Sequence, residues 1–202
     1  MVRISSQKFL AQDFRVHAFL ADVPLHDVWS VDLPGFREGI TLHEFRARTS
    51  QADTLRTVSW PTRVLFKLRI LIGRILRLES EPAGSQQVYL ANWLTAEDRA
   101  ASLVPAGTPD GFFRVVYCLE NEILLEVVNR TVHAAAMSGL QQTDIGYRFY
   151  FAVYVRNVSW ITPAYMALID PFRRWIVYPA IFREIQRSWT EQFDPSNLKD
   201  QK

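Results

Sequence analysis

Polar and apolar residues alternate most regularly in the second half of the chain. In Gly146 to Val158 the odd positions Tyr147, Phe149, Phe151, Val153 and Val155 are uncharged, while the even positions include Arg148 and Arg156. A period of two marks a strand whose uncharged side faces a core. Phe112 to Leu119 reads the same way, with Phe113, Val115, Tyr117 and Leu119 turned inward. Ile123 to about Met137 reads as one long strand: its odd positions run through Asn129, Thr131 and His133 and avoid Glu126 and Arg130. Short connections at Glu120-Asn121-Glu122 and at about Ser138 to Ile145 join the three into an antiparallel meander. Pairing odd with odd at the second hairpin sets His133 beside Phe151 and Thr131 beside Val153.

Helical spacing appears on either side of this meander. Upstream, His26 to Leu33 alternates as a strand that Pro34-Gly35 ends, and residues 1–25 read as irregular. Thr41 caps a short helix from Leu42 to Thr49, with Glu44 completing a capping box; Thr95 and Asp98 repeat the pattern. Ser59-Trp60-Pro61 opens a helix to about Leu78, with a wide apolar face and a basic stripe opposite it. Pro109-Asp110-Gly111 is a turn. Thr162-Pro163 starts a short helix. Asp170-Pro171 starts a second one, running to about Phe193, which Pro179 should kink. Trp160, Tyr165, Trp175, Tyr178 and Trp189 are weighed as an interfacial aromatic belt, but their spacings favour a core.

Composition narrows the function classes. The chain has 202 residues, 49% hydrophobic and 22% charged, which suits one folded domain over 1–202. Its formal net charge of +2 argues against nucleic acid as a partner. The single Cys118 excludes an internal disulfide and thiolate-rich zinc clusters. The opening stretch MVRISSQKFLAQDF holds no leader-like apolar run, and no stretch reaches the roughly 18–20 apolar residues of a bilayer span, so a cytoplasmic protein is expected. Nucleophile elbows, phosphate loops and paired metal ligands are absent from the sequence, so neither a cofactor nor a metal is expected.

The residues NEILLEVVNRTVH, GYRFYFAVYVR and TPAYMALIDPFRRWIVYPAIFREIQRSW resemble an uncharacterised bacterial domain-of-unknown-function family. That family is similar to the START-like, polyketide-cyclase-like (SRPBCC) superfamily, and such domains are also found fused behind short-chain-dehydrogenase-like domains. The resemblance implies an α+β helix-grip fold: a curved antiparallel sheet around a long C-terminal helix, with a cavity between them. No catalytic residue carries over, because the superfamily's active residues vary.

Within such a cavity the expected ligand is an apolar or amphipathic small molecule. Phe149 and Phe151 would supply apolar contact, and Asn129, Thr131, His133 and Tyr147 would orient it. A cyclase- or dehydratase-like reaction with His133 as acid–base is the alternative from the enzyme class. A third reading comes from charge: residues 61–77 hold Arg63, Lys67, Arg69, Arg74 and Arg77 and no acid, as a membrane-surface or partner-binding helix would. Glu126 and Arg130 are expected on a solvated outer face, with Arg130 over Tyr154. Cys118, without a His nearby in sequence, is given no role.

Overall fold

The computed structural model describes residues 1–35, 39–48, 89–111, 113–128, 132–158, 160 and 162–193. The basic segment 61–77, with the helix expected around it, lies outside these residues, as do Asn129, Arg130 and Thr131.

Seven antiparallel strands form one sheet in the order β1-β2-β7-β6-β5-β4-β3. They are β1 Val2–Arg3, β2 Leu25–Pro34, β3 Pro109–Asp110, β4 Phe113–Cys118, β5 Glu122–Val128, β6 His133–Thr143 and β7 Gly146–Arg156. The helices are α1 Ser6–Leu10, α2 Arg15–Phe19, α3 Leu42–Arg48, α4 Ala96–Ala101, α5 Thr162–Phe172 and α6 Tyr178–Phe193, with a 3-10 turn at Leu90–Trp93. The capping box expected at Thr95 and Asp98 is present at the start of α4. The stretch expected to be irregular, 1–25, contains β1, α1 and α2.

The stretch 123–137 divides into two strands. β5 ends at Val128 and β6 begins at His133, then continues through Ser138 to Thr143, the region expected to be a loop. β6 and β7 meet at a tight turn over Asp144 and Ile145. In that hairpin Ser138 pairs with Phe151, Ala136 with Val153 and His133 with Arg156. Odd positions therefore oppose even ones. The expected pairing of His133 with Phe151 is corrected by the two-residue turn, which fixes the register.

Both faces of the sheet are covered. On one, Tyr147, Phe149 and Phe151 lie under α6: Tyr147 meets Trp189 at 5.2 Å, Phe149 meets Phe182 at 6.0 Å and Phe151 meets Tyr178 at 5.5 Å between ring centroids. Ring number rises along β7 as it falls along α6, so the helix runs back along the strand. The inward orientation expected for these odd positions holds. The even positions Tyr150, Ala152 and Tyr154 are also buried, under Phe9, Phe14, Val16 and Leu90 of a second core. The charges that suggested a solvated face sit only at its ends. Arg148 reaches out to Asp32 at 2.6 Å, and Arg156 lies 4.9 Å above the Trp93 ring.

The turn into β7 depends on Gly146. Its φ is +142°, and a Cβ there would sit 2.4 Å from the Leu33 carbonyl oxygen. Because the obstacle is backbone, Gly146→Ala is expected to cost about 1–3 kcal/mol. Urea unfolding of the variant, read as a lower midpoint at unchanged slope, checks this.

The expected break at Asp170-Pro171 does not occur. Helical structure continues from Thr162 to Phe193, and Pro171 lies inside α5. A π-helical segment, Arg173–Val177, joins α5 to α6, and the Tyr178 N–H reaches back to the Arg173 carbonyl. Pro179 explains the wider turn: it lacks an N–H, and its ring crowds the carbonyl four residues earlier.

Candidate functional site

Among the described residues, those expected to line the cavity do not converge. Phe149 and Phe151 face α6, whereas His133 faces the other layer. His133 is 1% exposed, and its Nε2 lies 3.0 Å from Glu126 Oε2. Glu126, expected on a solvated face, is itself buried and accepts the Leu90 and Ala91 backbone N–H groups at 2.8 and 3.3 Å. Four residues away on the same side of β5, Glu122 accepts the Arg15 and Val16 N–H groups at 2.7 and 2.9 Å and the Tyr117 hydroxyl. The two carboxylates thus fasten the start of α2 and of the 3-10 turn to the sheet, a structural use. Tyr147 accepts the Ile40 N–H at 3.0 Å, so its hydroxyl ties the chain before α3 to β7.

A different set of polar side chains meets where the π-helical segment crosses β2. The register of β2 shifts between Leu25 and Asp27, which aims Asp27 at this helix. Asp27 is fully buried. Its Oδ1 accepts the Tyr178 hydroxyl at 3.2 Å and lies 3.6 Å from an Arg173 guanidinium nitrogen. Arg173 also donates to Asp170 Oδ1 at 2.8 Å and to the Tyr178 hydroxyl. Arg174 donates to Asp170 Oδ2 at 3.4 Å, and His26 Nε2 is 2.7 Å from that oxygen. Burial pushes the Tyr178 phenol up, which keeps its proton in place for Asp27.

Three atoms here are buried and unpartnered: Asp27 Oδ2, Trp29 Nε1 and Arg174 Nε. Arg174 Nε and Asp27 Oδ2 stand 4.0 Å apart, and the Trp29 ring packs 5.8 Å from Tyr178. Buried polar atoms normally find partners; here Asp27 Oδ2 and Arg174 Nε face each other as an ion pair without a direct hydrogen bond, and Trp29 Nε1 is a further buried donor without one. π-helical turns are frequent at functional sites because they displace side chains from helical register. His26, Asp27 and Asp170 bring possible ligand atoms within 4.8 Å of one another. However, Arg173 and Arg174 already supply the positive charge a cation would bring. The group leaves little trace in the sequence. Its signals were an acid on the odd, otherwise apolar side of HDVWSVDL (Asp27, Trp29, Val31, Leu33), and two prolines eight residues apart bracketing two arginines.

Two other features have simpler accounts. Cys118 Sγ lies 3.7 Å from His43 Nδ1, a pairing the sequence did not reveal, but burial pushes the thiol up and away from its reactive form. An open recess of about 370 Å³ lies between α2 and the end of β7, lined by Leu10, His17, Val23 and Tyr154 among others.

A family model described as "Protein of unknown function (DUF2867)" matches residues 19–180. No curated protein and no solved structure matches. Among the described residues, no helix is long and apolar enough to cross a membrane.

Proposed function

The chain belongs to the DUF2867 family, and on that premise we propose that it binds a small apolar or amphipathic molecule between the sheet and α6, with its polar head at Asp27, Trp29 and Arg174. The observation that carries this reading is the group of three unpartnered buried atoms. A hydroxyl both gives and accepts a hydrogen bond, so one such head group can donate to Asp27 Oδ2 while accepting from Arg174 or Trp29. Beside the group, Trp29, Phe151, Val177 and Ile181 are only partly covered and offer an apolar surface for the rest of the molecule.

The strand order supports a helix-grip reading of the fold: β2 lies beside β7, the remaining strands follow in descending order, and the C-terminal helix crosses their face. That arrangement agrees with the START-like resemblance. His133 belongs to the opposite layer, so no acid–base role in this space is assigned to it.

Dodecanol titrated into the protein, followed by tryptophan fluorescence, is expected to saturate. Asp27→Asn keeps the shape of the side chain and gives up its charge, and should weaken binding about tenfold. Unsaturable binding, or equal affinity in the variant, would sink the reading. Native mass spectrometry of the purified protein gives an independent check through any small molecule that accompanies it.

A further inference from the structure

α5 and the π-helical segment are amphipathic in the inverse sense. The charged residues turn inward: the Asp170, Arg173 and Arg174 side chains are 14%, 15% and 34% exposed. The large apolar residues turn outward: Leu168 is 63% exposed, Phe172 43% and Trp175 79%, with Trp160 at 89% just before the helix. Leu168 and Phe172, four apart in α5, share one side of the helix, and Trp175 follows in the π-helical segment. A helix surrounded only by water and its own core gains nothing from this arrangement. Single exposed apolar residues are ordinary, but four large ones within sixteen residues, two of them tryptophans, make a contact surface.

We propose that this stripe seats the protein on an anionic lipid surface, with Trp160, Leu168, Phe172 and Trp175 entering the interfacial layer. Two observations select lipid over a second copy of the chain. The first is area. Taking each residue's surface with its exposed fraction, the four offer roughly 600 Å². That falls short of the about 800 Å² that each partner gives to a standard protein interface. It suffices for a helix lying in the plane of a membrane surface, where tryptophan is favoured at the headgroup level. The second is charge. Between residues 157 and 183 the only acid is Asp170, which is occupied by His26, Arg173 and Arg174. Arg174 pairs inward with Asp170 but keeps about a third of its side chain toward solvent, and Arg183 is exposed; both are cationic and complement phosphate headgroups.

The test is co-sedimentation of the full chain with vesicles of phosphatidylcholine containing a minority of phosphatidylglycerol. Intrinsic tryptophan fluorescence is read in parallel, with brominated lipid as quencher. The wild type should sediment, shift its emission to the blue and be quenched. Phe172→Ser combined with Trp175→Ser should lower partitioning at least about tenfold while leaving the circular dichroism unchanged, because both side chains stand outside the core. No sedimentation of the wild type, or equal sedimentation of the double variant, overturns the proposal. A stripe-dependent dimer in analytical ultracentrifugation without vesicle binding also overturns it, in favour of self-association. Equal binding to pure phosphatidylcholine overturns its electrostatic half.

Discussion

Trp189→Ala is expected to destabilise the protein by about 3–5 kcal/mol, lowering its melting temperature on the order of 10 °C. Trp189 is 1% exposed and, among the described residues, is the largest of the fully buried side chains. Its ring meets Phe193 at 4.7 Å, Tyr147 at 5.2 Å and Phe45 at 5.4 Å, and its Nε1 donates to the Pro34 carbonyl at 2.8 Å. One side chain therefore joins α6, β7, α3 and the end of β2. Truncation opens a cavity among rigid rings that cannot collapse into it, and leaves a carbonyl without its donor. Trp189→Phe retains most of the packing and should cost about 1–2 kcal/mol. Differential scanning calorimetry of the two variants separates these contributions. A melting temperature within a degree or two of wild type for Trp189→Ala would show that α6 does not anchor the sheet.

Glu122→Ala is expected to cost about 3 kcal/mol, because it strands the Arg15 and Val16 N–H groups and the Tyr117 hydroxyl in a buried place. Glu122→Gln retains an acceptor but turns an amide NH₂ toward one of the donors, and should cost less. The carboxyl is held above its ordinary value, chiefly by burial, against the opposing pull of Tyr117 and the two backbone N–H groups. For a carboxyl raised on folding, the folded state favours the protonated form. Its contribution is fully present below the ordinary value of about 4.3 and declines as pH rises through the raised value. The stability advantage of wild type over Glu122→Gln should therefore shrink as pH climbs from about 4.3. Paired urea titrations at several pH values measure that difference while cancelling groups common to both proteins. A difference that grows with pH would mean the carboxylate is stabilised on folding.

The parts of the fold legible in the sequence were those governed by local rules. The alternation of β7, the cap at Thr95 and the helix ending near Phe193 all follow from side chains a few residues apart. What escaped depended on partners that leave no residue-type signature. Glu122 and Glu126 look like surface carboxylates because their partners are backbone N–H groups from distant segments. The run HAAAMSGLQQT has weak strand character, so the break after Val128 was missed. His133 consequently lies on the face opposite the expected one, because a change of hairpin position inverts which residues share a side. The Asp27 group was illegible for a related reason: it needs the shift in β2, the π-helical turn and the long-range pairing of β2 with β7 all at once.

That pairing has a consequence for synthesis. Val28 pairs with Ala152, so the edge of β2 that faces β7 must wait for about 120 further residues before that neighbour exists. At ribosomal speeds of about 5–20 residues per second, that edge stays unsatisfied for several seconds. Nascent chains arrested before β7 should therefore be sticky and chaperone-bound, and released only once the last strand has cleared the exit tunnel.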